Sequence, residues 1–202
     1  MRQHGLQAPQ RVGHPHGPKA HDGTIITDRP DELWGTDMTT TVTTEEGRVC
    51  VFVAVDHCTS ECIGIHASLS GNRFEALEPL RQGVREQFGD FDAGIAAGLA
   101  IRLDHGSAYI SDGFQQERTF LGITSSPSFV REPEGNGVAE RVIQTPKENL
   151  LWFRHLSTVA VLIEALLLFK RWYHEQWLFQ RHGYRSPGQV RRELAGGVPK
   201  VA

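Results

Sequence analysis

Apolar and polar positions change period several times along the chain, and each change marks an element. Residues 1–30 have no period: "QRVGHPHGPKAHDG" alternates glycine, proline and histidine, which break both helices and strands, so this stretch reads as a linker or arm. Alternation with β-branched residues starts at "LWGTDMTTTVTT" and predicts a strand. "RVCVFVAVDHC" is a near-continuous apolar run, as expected of a strand covered on both faces, and "ECIGIHASL" predicts a third. The short polar links "EEGR" and "HCTS" make these three an antiparallel meander.

The period then lengthens. Phe74, Leu77, Leu80, Val84 and Phe88 fall at helical spacing in "SGNRFEALEPLRQGVREQFG", with Pro79 and Gly83 as weak points. "LAIRLDHGSAYIS" returns to strand and turn, and Ser111 is placed to cap a helix over "DGFQQERTFLG". "ITSSPSFV" gives a short strand and loop, "REPEGNG" a polar loop, and "EGNGVAERVIQTPKENLLW" an amphipathic helix. A last helix covers "STVAVLIEALLLFKRWYHEQW", starting at Ser157 or Thr158, with a buried stripe at Leu162, Leu166, Phe169 and Tyr173. The order βββ-α-β-α-β-α-α predicts an α/β fold, a mixed sheet flanked by helices.

Charge sharpens this picture. The 202 residues carry a net charge of −3, but residues 1–140 hold 11 Lys and Arg against 20 Asp and Glu, and residues 141–202 hold 10 against 4. An acidic body joined to a basic end can hold a polyanion locally despite the overall sign. The longest apolar run, Val159–Phe169, is too short to span a bilayer and contains Glu164. No signal peptide is evident, so a cytoplasmic protein without membrane contact is expected. Cys50, Cys58 and Cys62 suit a reducing compartment. Cys58 and Cys62, with His57 and His66, offer zinc donors, but thiols packed on two neighbouring apolar strands are the commoner case. His14, His16 and His21 are scattered along the arm, where histidines usually bind no metal.

Three carboxylates stand out. Asp37 lies inside the first strand, where a carboxylate is costly unless paired or bound to a cation. Asp104 ends a strand in "RLDHGS", and the sites of open α/β sheets gather at such ends. Glu140 lies in the first turns of the helix after the Gly-rich loop, with 35 residues between it and Asp104. Acids from two strands and a helix that converge repel one another, and hard divalent cations such as Mg²⁺ or Mn²⁺ are the natural compensation. Two ions could activate an attacking oxygen and stabilise a leaving one. Asp56 is a further acid, better read as initiating a turn; Asp112 is a first-turn helix acid. Glu132 and Glu134 lie in the loop with no rigid helix to aim them.

"WGTDMTT", "VFVAVDHCTSECIGIHAS", "RLDHGSAYIS" and "EGNGVAERVIQTPKENLLW" together resemble the catalytic core of insertion-sequence transposases of the retroviral-integrase-like DDE superfamily. The resemblance spans roughly residues 5–190. It implies an RNase H-like fold with a mixed five-stranded sheet. It also implies that Asp37, Asp104 and Glu140 form the metal-binding catalytic triad, with Mg²⁺ or Mn²⁺ as cofactor, two ions in number. The implied activity is metal-dependent phosphodiester cleavage and strand transfer on transposon-end and target DNA, by an oligomer of the chain. Lys147 matches a lysine that similar integrases use to hold DNA phosphate. Arg141, Arg154, Lys170 and Arg171 are further candidates for backbone contacts, and Asn136 either touches DNA or caps its helix. The expected organisation is a linker with the remnant of a DNA-binding region over 1–30, an integrase-like core over 31–155, and a C-terminal helix with a basic tail over 156–202.

Three departures from that pattern stand out. "MRQHGLQAPQRVG" resembles only the tail of a helix-turn-helix region. This raises an alternative: a truncated, inactive relative that associates with a full-length transposase or an upstream-frame product as a regulatory subunit. An RNase H-like nuclease with an unrelated role is a third reading. The late helix has excess apolar residues at Val161, Ile163, Leu167 and Leu168, which suggests a subunit interface. Pro146 falls where the family has an apolar helix residue. "TPKE" can start a new helix, with Thr145 as cap, Pro146 in the first position and Glu148 completing a capping box. On that reading the segment is two helices or one kinked helix. The proline then threatens the alignment of Lys147 with Glu140, impairing DNA positioning while sparing metal binding.

Overall fold

The computed structural model describes residues 25–103, 107–126 and 137–196. Five strands, β1 (Leu33–Thr43), β2 (Gly47–Asp56), β3 (Cys62–Ser68), β4 (Ala100–Arg102) and β5 (Thr124–Ser125), form one sheet in the order β3-β2-β1-β4-β5. β1, β2 and β3 are an antiparallel meander, and β4 and β5 add in parallel beside β1. The helices are α1 (Arg73–Phe88), α2 (Asp112–Phe120), α3 (Gly137–Pro146), α4 (Val159–Gln176) and α5 (Pro187–Ala195). This is the mixed five-stranded sheet flanked by helices that the pattern predicts.

The run in β2 is buried on both sides because the sheet has a core on each face. Val49, Val51, Val53 and Val55 face one way, into a cluster with Val138, Val142 and Ile143 of α3 and Leu162, Leu166 and Tyr173 of α4. Cys50, Phe52 and Ala54 face the other way, toward Leu77, Leu80 and Val84 of α1 and Phe114 of α2. Asn72 caps α1, its side chain accepting the Phe74 and Glu75 amides, and Gly89 ends the helix in the left-handed region. Pro79 does not interrupt α1. The helix lies so close to β3 that a Cβ on Gly64 would stand 1.9 Å from the Pro79 carbonyl oxygen.

Ser111 and Thr158 cap α2 and α4 as expected. The start of α4 is further held by the Glu46 carboxylate, which accepts the Val159 amide at 2.5 Å. All three cysteines are buried; Cys58 sits in the β2–β3 turn rather than on a strand, because β2 ends at Asp56.

The alternation and helical periods do not single out α5. Its signal is local: "SPGQ" forms a full capping box, with Ser186 accepting the Gln189 amide, Gln189 accepting the Ser186 amide, and Pro187 in the first turn. Arg191 of α5 reaches back across the molecule. It bonds Asp31 before β1 at 2.7 and 3.2 Å and pairs with Glu61 in the β2–β3 turn.

Candidate active site

Strand parity decides where Asp37 points. It pairs with Val53 across the antiparallel ladder, and paired residues project from the same face. Val53 belongs to the core under α3, so Asp37 faces α3, while Trp34, of opposite parity, enters the α1 core. Asp37 is half-buried, and one of its carboxylate oxygens accepts the Met38 amide at 2.7 Å. β1 lies between β2 and β4; at Asp37 its backbone is paired with Val53 of β2, while β4 pairs with Leu33, Trp34 and Gly35 just before it.

α3 packs across β1 and β2 through Val138, Ala139, Val142 and Ile143. Glu140 lies in its first turn and is exposed beside that buried stripe. At about 100° per residue, Arg141 falls on the opposite flank of the stripe, and it too is exposed. Asp104, Asn136, Glu132 and Glu134 lie outside the described residues, as do the arm histidines. Among the described residues no cluster of three or more His, Cys, Asp or Glu is placed to hold a metal. Two of the three expected acids are nevertheless present as oxygen donors, half-buried and exposed, which suits a hard cation that keeps part of its water.

Pro146 behaves differently from the expectation of a new helix start. α3 continues to Pro146 and passes into a π turn, Lys147–Leu151, in which the Trp152 amide reaches the Lys147 carbonyl at 3.0 Å. The Thr145 hydroxyl donates to the Arg141 carbonyl at 3.1 Å, and the Glu148 carboxylate accepts the Gln144 side-chain amide at 2.6 Å. Neither side chain serves as a cap. Pro146 is buried, and the chain meets the missing amide by widening the following turn rather than by breaking. Glu140 and Lys147 are therefore joined by continuous helix, which sets residues seven apart within about 20° of one another.

The other basic candidates are spread out. Arg154 is exposed beyond the π turn, fourteen residues from Glu140 and so at the far end of the segment. Lys170 is engaged elsewhere, donating to the Ile63 carbonyl and the Glu86 carboxylate, each at 2.9 Å. Arg171 is exposed on α4.

Asp56 is fully buried and accepts the Thr59 amide at 2.7 Å, the Thr59 hydroxyl at 2.8 Å and the Asp31 amide at 2.8 Å. It organises the turn, as its position suggests, and burial pushes its carboxyl up. Its neighbour His57 is fully buried, with Nδ1 bonded to the Ile25 carbonyl at 2.8 Å and Nε2 without a partner among the described residues. Burial holds the His57 imidazole down at about 4.

Comparison with known proteins adds to this geometry. The family model described as integrase core domain matches residues 27–133, just over half the chain, and stops before Glu140. The putative transposase InsD for insertion element IS2E of Escherichia coli (strain K12) is 27% identical over 201 residues, covering 96% of this chain and 89% of that protein. The transposase InsD for insertion element IS2A/D/F/H/I/K of Escherichia coli is likewise 27% identical over 96% of this chain, which spans 64% of its length. Among solved structures, the HTLV-2 integrase catalytic core domain in complex with magnesium superposes with a TM-score of 0.57 at 20% identity. That match covers 81% of this chain and 98% of the other, and shows a shared RNase H-like fold.

Proposed function

The chain belongs to the integrase core domain family, and on that premise we propose that it is the catalytic core of an insertion-sequence transposase. It would cleave DNA phosphodiesters and join the resulting 3′ ends to target DNA. The observation that carries this reading is that Asp37 lies on the α3 face of a central strand and Glu140 in the first turn of the helix packed over that strand.

In this reading Asp37, Asp104 and Glu140 hold Mg²⁺ or Mn²⁺, two ions, which would polarise the scissile phosphate and stabilise the leaving oxygen. The HTLV-2 core, which shares the fold, was solved with magnesium. The protein's own contribution is placement. Asp37 is held by the ladder to β2 and by the Met38 amide on one oxygen, so it needs no rearrangement to act. Glu140, exposed on α3, approaches from the solvent side. Lys147 lies on the same flank and would grip a phosphate beyond the reacting one, in register with Glu140 because the helix continues through Pro146. Arg141, Asn136 and Arg154 would add backbone contacts that read no sequence. Water and then a DNA 3′-hydroxyl attack phosphorus in line, and no covalent link to the protein is required.

The partners are transposon ends and target DNA, with the chain acting as an oligomer or alongside a full-length transposase in the bacterial cytoplasm, at the nucleoid. Among the described residues no helix is long and apolar enough to cross a membrane. Val161, Leu168 and Trp172 leave an exposed apolar strip on α4 that suits contact with another subunit.

The test is nicking and strand transfer on a transposon-end oligonucleotide with Mg²⁺ or Mn²⁺. Activity that disappears with a chelator and in Asp37→Asn and Glu140→Gln supports the reading. Metal binding without any cleavage would remove the enzymatic reading and leave that of an inactive associating subunit. Preference for RNA–DNA hybrids would point instead to an RNase H-like nuclease.

A further inference from the structure

On the other flank of α3 from Glu140 lies a cavity of about 130 Å³. Gly137 and Val138 at the start of α3 form one wall with Arg141, and Ser60, Phe179 and Arg181 form the other. Arg181 comes from the short hairpin between α4 and α5, closed by the Phe179–Arg185 bridge, and Ser60 from the β2–β3 turn. Three separate parts of the chain thus meet here, none of them singled out by the acidic triad.

The charges in this cavity are unbalanced. Arg181 is anchored through Nη2 to the His57 carbonyl at 3.1 Å, the Cys58 carbonyl at 3.3 Å and the Ser60 hydroxyl, and through Nε to the His182 ring at 3.2 Å. All of these partners are uncharged oxygens or a ring nitrogen, and its Nη1 has no partner among the described residues. The Arg141 side chain makes no hydrogen bond or ion pair to any described residue. Burial makes the charge on Arg181 harder to keep, the Asp56 carboxylate works against this, and the Arg141 guanidinium adds to it, so the two cations are close enough to repel. By contrast, Arg81, Arg191 and Arg192 are each paired with carboxylates. Two cations without a described carboxylate partner beside one cavity repel each other, and an anion between them would relieve that repulsion. The helix start adds amide groups whose dipoles favour the same sign of charge.

We propose that this cavity is a phosphate-binding site, and that its occupant is a backbone phosphate of the DNA strand. Arg181 is the fixed donor, preset by its bonds to the β2–β3 turn, and Arg141 closes over the anion from α3. Forked guanidinium groups suit phosphate oxygens better than a point charge does. A strand gripped here crosses the N-terminal end of α3 and is thereby steered past Glu140 on the other flank. The site thus positions DNA and takes no part in the chemistry. This assignment rests on the transposase reading for the identity of its ligand, but not for its affinity for phosphate.

Two measurements test it. In the first, a short duplex of arbitrary sequence is titrated in chelator at several salt concentrations. Arg141→Gln and Arg181→Gln should each weaken binding about tenfold at low salt and reduce the slope of log K against log salt by about one. Unchanged slopes in both variants, with normal binding by the parent, would overturn the site and leave the transposase reading intact. Since Arg181 also supports a turn, Arg141→Gln, whose side chain has no described partner to lose, is decisive if Arg181→Gln unfolds. In the second, inorganic phosphate is added to the free protein and thermal unfolding followed. Phosphate should raise the midpoint of the parent, compared with chloride at equal ionic strength, and raise that of Arg141→Gln less. If the parent binds no DNA, the transposase reading fails, and this second measurement alone decides the site: an equal response in parent and variant overturns it.

Discussion

The two faces of the sheet differ in what lies beside their buried cores. On the α1 and α2 side, Trp34, Phe52, Leu80, Tyr109 and Phe114 are buried within 2% of complete, and Tyr109 meets Phe114 edge-on at 5.4 Å. α1 lies so near that only glycine fits at position 64. On the α3 and α4 side the valines of β2 are equally buried, but the helix above them leaves Glu140 and Arg141 in solvent and a cavity at its start. Both faces carry a buried core of similar extent, and the candidate ligand-binding groups lie beside the second. A single strand serves both through alternation alone: Trp34 goes one way and Asp37, three residues on, the other.

The prolines repeat the contrast. Pro79 sits within a helix pressed onto the sheet, and α1 stays regular around it. Pro146 ends the regular part of α3, and the turn beyond it widens. α1 keeps its regular geometry around Pro79, whereas α3 widens in the turn after Pro146, although that proline is itself buried.

The sharpest way to break this division is to remove the acids. Asp37→Asn and Glu140→Gln should each lower strand transfer by roughly a thousandfold or more, about 4 kcal/mol in the barrier. For the exposed Glu140, urea unfolding should shift by no more than about 0.5 kcal/mol. A loss of stability comparable to the loss of activity would show that the faces are not separate. Next in size is Gly64→Ala on the closed face. Its methyl would meet backbone, not a flexible side chain, so we expect a loss of about 3 kcal/mol in stability. Activity per folded molecule should be nearly unchanged.

A smaller effect follows from His57. Its folded-state pKa is depressed, so its stabilising contribution is complete above about 6.5 and is lost as the pH falls toward 4, where the folded protein would take up the proton. Replacing it with glutamine should flatten the acid limb of the stability curve by about 2–3 kcal/mol over that window. Parent-minus-variant differences cancel the opposite trend from Asp56 and Glu61, whose carboxyls burial pushes up. The smallest effect should come from Pro146→Leu. Because α3 is already continuous to that residue, strand transfer should change by less than about twofold. A large gain would mean that the π turn misaligns Lys147 after all.

Much of this architecture was legible in the sequence because it depends on local rules. The period-2 and period-3.6 runs mark β1 to β3, α1 and α4, and Ser111 and Thr158 are recognisable caps. Asp37 stands out in the sequence as a candidate because a carboxylate amid threonines and apolar residues needs a reason to be there. What escaped reading has long-range causes. Whether "TPKE" starts a helix depends on what Pro146 packs against, and it is buried on the sheet. Lys170 looks like any basic residue until Glu86 and the Ile63 carbonyl, over 80 and 100 positions away, come to meet it. The Arg141–Arg181 cavity joins residues 40 positions apart to a turn still more distant, and no spacing in one sequence announces that.

The reach of Arg191 has a mechanical consequence. By bonding Asp31 and Glu61 together, it staples the segment entering β1 to the last helix, 160 positions along the chain. A pull applied between those two segments, as by DNA held at one end and a neighbouring protein at the other, is borne first by this staple. The strands carrying Asp37 would feel the load only once it had given way.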